Sequence, residues 1–136
     1  MNDTQVKPRP LDGITVVSLE HAIAAPFCTR QLADLGARVI KIERPGAGDF
    51  ARGYDERVDG LASHFVWTNR SKESLSLDVK QDAAARVLDQ LLAKADVLVQ
   101  NLAPGAAARR RGGSDRVYEN VTRPGRIRSG SGHTAA

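Results

Sequence analysis

The sequence predicts an α/β fold in which a mostly parallel β-sheet has helices on both faces and is followed by a basic tail. Short β-branched apolar segments recur between residues 14 and 100, and segments with helical periodicity separate them. This strand–helix–strand order favours parallel pairing, because the crossover helices then cover the sheet. Residues 109–136 differ: they are rich in Arg, Gly and Ser and follow neither the strand nor the helix period.

The first strand and helix are predicted from turn and cap residues. A strand over residues 14–19 follows a Leu-Asp-Gly turn, and Pro26 suits the first turn of the next helix, where its missing N–H costs nothing. The helix is predicted to end at Gly36, because glycine adopts the left-handed conformation of a C-terminal cap without strain. One face is expected to be apolar and to consist of Cys28, Leu32 and Leu35. We interpret Cys28 as core packing and not as a nucleophile.

The later elements continue the alternation. They are a strand at 38–43, a loop at 44–49, a short helical turn at 63–69, a strand at 74–78, a helix at 82–94, a strand at 97–100 and a loop at 101–105. Asp49 and Arg52 are expected to cap and pair within their loop. The helix at 82–94 has the clearest apolar stripe, formed by Ala84, Val87, Leu88, Leu91, Leu92 and Ala95. The whole order predicts a Rossmann-like sheet, whose ligands bind beyond the carboxyl ends of the strands.

Composition limits the classes of protein that fit. The 136 residues fit one modest domain, and 41% hydrophobic and 26% charged residues are ordinary for a globular protein. No apolar run could span a membrane, the N-terminus lacks a signal-peptide pattern, and the single Cys excludes an intramolecular disulfide. We therefore expect a cytoplasmic protein. The net charge of +4 arises in residues 109–136, which contain seven of the 20 basic and two of the 16 acidic residues.

We expect this basic tail to be disordered, because it cannot bury enough apolar area to offset the entropy lost on ordering. An RNA-binding arm is the alternative, since clustered Arg residues neutralise phosphates. The tail lacks the interleaved aromatic residues that base stacking needs, so nucleic acid is not the expected partner.

Polar or basic residues follow the predicted strands at their carboxyl ends. They are Glu20 and His21, Glu43 and Arg44, Gln100 and Asn101, and Lys80, which follows Asp78 by two residues. Arg44 and Lys80 are suited to phosphate oxygens, and the helix start near Pro26 adds partial positive charge. The cluster predicts an anionic, nucleotide-like ligand. The alternatives are a buried, satisfied His21 and solvated charges at Arg44 and Lys80.

Missing glycines exclude two common nucleotide-binding classes. A nicotinamide dehydrogenase would have G-x-G-x-x-G after its first strand, where residues 20–25 read Glu-His-Ala-Ile-Ala-Ala. Gly46 and Gly48 follow the second strand instead, with the wrong spacing. The sequence also lacks G-x-x-x-x-G-K-[ST], so a P-loop nucleotide site is excluded.

Several ordered motifs resemble the start of the family III CoA-transferases, the group of formyl-CoA transferase, carnitine CoA-transferase and α-methylacyl-CoA racemase. The first are Pro-Leu-Asp-Gly-Ile-Thr-Val-Val at 10–17, Ala-Pro-Phe-Cys-Thr at 25–29, Leu-Ala-Asp-Leu-Gly-Ala at 32–37 and Val-Ile-Lys-Ile-Glu-Arg-Pro-Gly at 39–46. Gly-Asp at 48–49, Arg-Gly at 52–53, Asn-Arg-Ser-Lys at 69–72, Leu-Asp-Val-Lys at 77–80, Ala-Asp-Val at 95–97 and Asn-Leu-Ala-Pro-Gly at 101–105 follow. The resemblance covers residues 10–109.

The resemblance implies a CoA-binding, Rossmann-like part over residues 10–108, incomplete relative to the family, after a flexible N-terminus at 1–9. Ile23 stands where the formyl-CoA transferase branch has Gln, and Arg110 stands where the family has a hydrophobic residue. The implied CoA contacts are His21, Ile23, Ala24, Arg44, Leu77, Asp78, Val79, Lys80, Asn101, Leu102, Ala103 and Arg109.

The implied activity is transfer of CoA from an acyl-CoA to a carboxylate, without a metal, by an interlaced homodimer that has no membrane partner. The family's catalytic Asp lies beyond the resemblance, and Asp115 is in the unmatched tail, so we expect this chain to be a truncated, inactive fragment. A frame change near Arg109 and an internal deletion before residues 117–121 both remain open as origins of the tail. The alternative functions are a non-catalytic CoA- or nucleotide-binding module and a racemase-type member of the same family.

Overall fold

The computed structural model describes residues 7–101 and shows a four-stranded sheet with three helices. The strands are β1 (Thr15–Leu19), β2 (Arg38–Glu43), β3 (Glu73–Ser76) and β4 (Val97–Gln100). The helices are α1 (Ala24–Asp34), α2 (Ser63–Asn69) and α3 (Asp82–Lys94), with a 3₁₀ turn at Phe50–Gly53. The predicted alternation of strands and helices is confirmed.

All the strand pairs of this sheet are parallel, and the strand order is β3-β2-β1-β4. The chain moves outward from β1 through β2 to β3 and then crosses to the other side of β1 to form β4. The direction of winding therefore reverses between β1 and β4. In open parallel sheets this switch point opens a crevice at the carboxyl ends of the two strands.

Helices cover both faces of the sheet, as predicted. On one face α3 packs on the strands in an apolar cluster of Val17, Ile40, Ile42, Leu88 and Ala95. On the other face α1 packs in a second cluster, Val16, Ala25, Ala33, Ala37, Val39 and Val99. The two central strands, β1 and β2, are thus sandwiched between two layers, and their internal residues are buried on both faces.

The buried face of α1 differs from the prediction. It consists of small residues, Ala25, Thr29 and Ala33, together with Pro26, while Leu35 is 45% exposed and Cys28 is half-buried. Small side chains let the helix axis approach the sheet closely. Of the predicted face, Leu32 still packs against this cluster, whereas Leu35 lies towards solvent.

Two features of the later elements also differ from the prediction. β3 spans Glu73–Ser76, whereas the strand was predicted at 74–78; past its end one more bond joins the Leu77 N–H to the Glu43 carbonyl at 2.8 Å. Val87 of the predicted α3 stripe is 41% exposed, while Leu88 is buried. The bounds of α2, α3 and β4 are as predicted.

Gly36 ends α1 as predicted. Its φ is +110°, in the region that residues with a Cβ avoid, and a Cβ there would lie 2.6 Å from Asp12 Oδ1. The predicted flexible N-terminus lies outside the described residues at 1–6, and so does the whole predicted tail. Among the helices described, none combines the length and apolarity that crossing a membrane would require.

Candidate ligand-binding site

A reciprocal pair of hydrogen bonds joins the residues that follow β1 and β4 at the switch point. The His21 N–H donates to Asn101 Oδ1 at 3.0 Å, and Asn101 Nδ2 donates to the His21 carbonyl at 2.8 Å. The Asn101 N–H also donates to the Leu19 carbonyl at 3.3 Å, which aligns the ends of the two strands. Two residues predicted for the site, 80 positions apart in sequence, are therefore neighbours.

The turn from β1 into α1 has an unusual backbone. Ala22 has a φ of +64°, and its N–H donates to Asp49 Oδ1 at 3.2 Å. Ile23 follows at the N-cap, is 53% exposed and provides no side-chain cap. The first turn of α1, which begins at Ala24, contains no acidic residue. This end of the helix therefore presents backbone N–H groups and partial positive charge to an anion.

Arg44 lies exposed just past the end of β2. Its Nε donates to the Gly48 carbonyl at 2.9 Å, so the loop it enters folds back on it. Gly48 has a φ of +62°, and a Cβ there would lie 2.6 Å from Glu43 Oε2. The glycine of the Gly-Asp motif is therefore required by the shape of this loop.

The four residues after β3 form a turn with two kinds of side chain. Leu77 and Val79 are half-buried and pack against the α3-side core. Asp78 accepts from the Lys80 N–H and from Gln81 Nε2, both at 3.1 Å, and Lys80 is exposed. Because β2 lies between β3 and β1, the end of β3 is about two strand spacings, roughly 10 Å, from the end of β1.

Directly beneath these loops, on the α1 face, lies a buried charge layer that the sequence analysis missed. We define it as Glu20, Lys41, Glu43, Asp49 and Lys72. Lys41 Nζ contacts Asp49 Oδ2 at 2.6 Å, and Lys72 Nζ contacts Glu20 Oε1 at 2.7 Å. In both pairs the side chains are at most 2% exposed. Buried charges persist only when they are paired, and both pairs meet that condition.

Residues of α2 and of the neighbouring loops complete the buried charge layer. Asn69 Oδ1 accepts from Lys41 Nζ at 2.8 Å and from Lys72 Nζ at 3.2 Å, so one amide joins the two ion pairs. The ring of Phe65 lies 4.0 Å from the Arg52 guanidinium carbon and 5.0 Å from Lys41 Nζ. α2 therefore shields the layer from water.

Glu43 is the most strongly bonded carboxylate of the layer. Burial alone would raise its pKa, but two hydrogen bonds from Arg52, one from the Asp49 N–H and one from Ser74 lower the pKa to about 2. The predicted pairing of Arg52 within its loop is thus wrong, because Arg52 pairs with β2 instead. The predicted capping by Asp49 is confirmed: it accepts from the Ala51 N–H at 2.9 Å.

Burial also affects the pKa values of two other members of the buried charge layer, Asp49 and Lys72. It would raise the pKa of Asp49, but the hydrogen bonds from Lys41 and from the Ala51 N–H outweigh it and lower the pKa. Burial lowers the pKa of Lys72, and the neighbouring Glu20 charge opposes that shift.

Aromatic rings adjoin the site on one side. The ring of His21 lies 5.1 Å from that of Phe50, which in turn lies 5.9 Å from that of Tyr54. Phe50 and Tyr54 are 48% and 47% exposed. They form an apolar wall beside the polar strand ends, which the sequence pattern gave no reason to expect.

The fold and this site define a doubly wound α/β protein with polar strand ends at a topological switch point, the arrangement used for nucleotide and coenzyme ligands. The sequence profile of CoA-transferase family III matches residues 11–122, and the chain belongs to that family. The resemblance noted from the motifs is confirmed, and the match extends into the residues that follow position 108.

Named relatives agree with this assignment. The chain is 43% identical over 107 residues to an acetyl-CoA:oxalate CoA-transferase from Acetobacter aceti, covering 78% of this chain and 28% of the relative. It is 41% identical over 98 residues to a succinyl-CoA:glutarate CoA-transferase from Mus musculus, covering 71% and 22%. A formyl-CoA:oxalate CoA-transferase from a Bradyrhizobium strain is 40% identical over 102 residues, covering 74% and 24%.

Solved structures share the fold. A CAIB/BAIF family protein from Brucella suis superposes with a TM-score of 0.71 at 33% identity, covering 76% of this chain and 29% of that one. A hypothetical protein from Mycobacterium tuberculosis gives 0.69 at 34% identity, covering 75% and 28%. The chain therefore spans about a quarter of the length of the proteins it matches.

The structure brings together some of the predicted contacts and leaves others apart. His21 and Asn101 meet at the switch point, and Ile23 and Ala24 follow soon after His21 at the N-cap and the first position of α1. Arg44 and the group at 77–80 lie at the ends of the next strands along the sheet. Leu102, Ala103 and Arg109 lie outside the described residues. Within residues 7–101 no group of three or more His, Cys, Asp or Glu side chains is placed to hold a metal ion.

Proposed function

We propose that the carboxyl ends of the four strands, with the turns that follow them, bind the CoA part of an acyl-CoA. The observation that supports this most directly is the reciprocal hydrogen-bond pair between His21 and Asn101. It lies at the switch point of a chain that belongs to CoA-transferase family III. Crevices at such switch points are where doubly wound sheets bind nucleotide-like ligands.

Each proposed contact has a distinct task. The backbone of residues 21–24 and the open start of α1 face the ligand, and Asn101 fixes the orientation of the His21 peptide. The exposed Arg44 and Lys80 contact phosphate groups of CoA, Arg44 as a fork of donors and Lys80 as a point charge. We extend the proposal to Leu77, Asp78, Val79, Leu102, Ala103 and Arg109 on the family resemblance.

For the whole protein, we propose transfer of CoA from an acyl-CoA to a carboxylate. In the reaction the family resemblance implies, a catalytic Asp carboxylate attacks the thioester carbonyl and CoA leaves as a thiolate, which gives a mixed anhydride. The matched relatives are named for oxalate or glutarate acceptors. We therefore propose a short dicarboxylate as acceptor, and an interlaced homodimer as the assembled form.

Calorimetric titration of the full chain with CoA tests the binding proposal. Arg44→Ala removes a charge-assisted phosphate contact and is expected to weaken binding about tenfold, since such a bond is worth roughly 1.5–3 kcal/mol. Arg86→Ala removes an exposed guanidinium from α3, on the other side of the sheet, and is the matched control. The absence of CoA binding by the wild-type chain, or equal losses in the two variants, would contradict the proposal.

An exchange assay with a labelled dicarboxylate and its acyl-CoA tests the separate proposal that this chain binds CoA without turnover. We expect no label in the thioester above background. Robust turnover that follows the chain through purification would show that the chain contains a catalytic carboxylate of its own.

A further inference from the structure

Asp49 is the point at which three segments near the site meet, and its two carboxylate oxygens have different partners. Oδ2 accepts from Lys41 Nζ of β2 at 2.6 Å. Oδ1 accepts from the N–H of Ala51 at 2.9 Å and from the N–H of Ala22 at 3.2 Å. The side chain has no exposed surface, so water does not compete for these bonds. The second oxygen therefore reaches from the loop after β2 to the turn after β1.

The turn that Asp49 reaches has a backbone conformation that the residue there does not favour. Ala22 has a Cβ and a φ of +64°, a region that alanine rarely occupies and glycine occupies freely. Surrounding contacts must therefore fix it, and two of them adjoin it. The Asn101 amide binds both backbone groups of His21, and Asp49 binds the N–H of Ala22 itself.

The position of Asp49 is fixed in turn by the end of β2. Its N–H donates to Glu43 Oε2 at 3.0 Å, and Glu43 also binds Arg52 through both carboxylate oxygens at 2.8 Å. Arg44, the proposed phosphate contact, is the next residue after Glu43. One chain of hydrogen bonds therefore links the loop of Arg44 to the turn after β1.

We infer that Asp49 is a positioning residue: through Oδ1 it keeps the turn at Ala22 in the left-handed conformation that presents the backbone of residues 21–24 to CoA. This inference rests on the proposed function for its ligand, and on the contacts above for its geometry. The ion pair with Lys41 fixes the carboxylate, and the bond to Ala22 is the contact that affects the site.

Two double variants separate these two tasks. Lys41→Met removes the buried ammonium, so that a neutral residue at position 49 does not leave it unpaired. In that background Asp49→Asn keeps an oxygen that can accept from Ala22 and Ala51, whereas Asp49→Leu has a similar size and no acceptor. Both double variants lack the ion pair, and they differ in the side-chain amide, whose oxygen is the acceptor for the Ala22 and Ala51 N–H groups.

We expect the variant with Asp49→Leu to bind CoA at least tenfold more weakly than the variant with Asp49→Asn. The exchange rate of the Ala22 amide hydrogen should rise at least tenfold between the same two chains in the absence of ligand. Equal CoA affinities would overturn the inference even if the exchange rates differ, because the turn would then not matter for binding. Equal exchange rates would show that Asp49 does not fix the turn.

The two readouts also distinguish this inference from the proposed function. If the wild-type chain does not bind CoA, the proposed function is wrong, and the ligand part of the inference fails with it. The exchange rates of Ala22 would still decide whether Asp49 fixes the turn. Leu88→Ala, a change in the apolar cluster under α3, is the control for lost stability and should leave Ala22 protected in the folded chain.

Discussion

The two faces of the sheet are built from the same strands but differ in chemistry. The face under α3 is apolar, with Val17 and Ile40 packed against Leu88. The face under α1 is apolar near the amino ends of the strands, as at Val16, and charged near their carboxyl ends. Apolar burial supplies free energy in proportion to area, whereas a buried ion pair adds little net stability once desolvation is counted. The comparison indicates that one face stabilises the fold and the other specifies geometry.

The location of the charges supports this division. Glu20 immediately precedes His21, and Glu43 immediately precedes Arg44, so a buried carboxylate anchors the chain one residue before each of these two proposed contacts. A ligand site is held in a precise geometry when the residues around it have side chains fixed by packing and hydrogen bonds. The buried charge layer therefore lies where a ligand site needs a rigid support.

The largest expected effect comes from breaking one pair of this layer. Lys72→Met leaves the buried Glu20 carboxyl group without its partner, and we expect a loss of about 3–5 kcal/mol in the free energy of unfolding. Urea unfolding followed by circular dichroism measures it. The double variant Lys72→Met with Glu20→Gln removes both charges and should regain most of the loss. A loss of stability below about 1 kcal/mol in the single variant would show that water reaches the buried charge layer.

On the opposite face the expected loss has a different origin. Leu88 is 8% exposed, and Leu88→Ala should cost about 2–4 kcal/mol through lost burial and the cavity left behind. Val87→Ala, one position along α3 and 41% exposed, is the matched control and should cost much less. Equal costs in urea unfolding would mean that the α3 face is not packed as described.

Acidification should affect the charged face selectively. The pKa of Glu43 is about 2 in the folded chain, against an ordinary value of 4.5. On acidification, Glu43 is therefore protonated at a lower pH in the folded state than in the unfolded state. Its contribution is full above about pH 4.5 and is lost as the pH falls towards 2, with a size on the order of 3 kcal/mol. The stability difference between wild type and Glu43→Gln should therefore shrink between pH 5 and pH 3. A constant difference would contradict the assignment.

The smallest effect is expected at an exposed ion pair of the sheet. Arg38 and Glu73 bind through two hydrogen bonds, but their side chains are 60% and 56% exposed. Water and salt screen such pairs, so Arg38→Ala should leave the urea midpoint at the wild-type value. A clear decrease in the urea midpoint would show that ion pairs of this protein contribute to stability even when they are exposed.

The local pattern predicted the elements well, because periodicity and turn residues act over a few positions. The helix at 82–94 and the strand at 97–100 have the bounds predicted from their apolar stripe and β-branched run. The prediction for the buried face of α1 was wrong in part, because it placed large apolar residues inside. The close contact between helix and sheet requires small residues there, and these are Ala25, Thr29 and Ala33.

The partners of the buried charges could not be predicted in the same way. Lys41 lies between two isoleucines of a strand with both faces covered, a pattern that signals a buried and therefore paired lysine. Its partners Asp49 and Asn69 lie 8 and 28 positions away in separate segments, and only the tertiary fold brings them together. The polar strand ends indicated His21, Arg44, Lys80 and Asn101, and the family resemblance indicated the other residues named for the site. The layer beneath them required the structure.

The most direct test of the account is a titration of the isotope-labelled full chain with CoA, followed by the chemical shifts of the backbone amides. The account predicts that the largest changes occur in residues 21–24 and at Asn101, at the switch point between β1 and β4. Changes concentrated in α3, on the apolar side of the sheet, or no saturable changes at all, would contradict it.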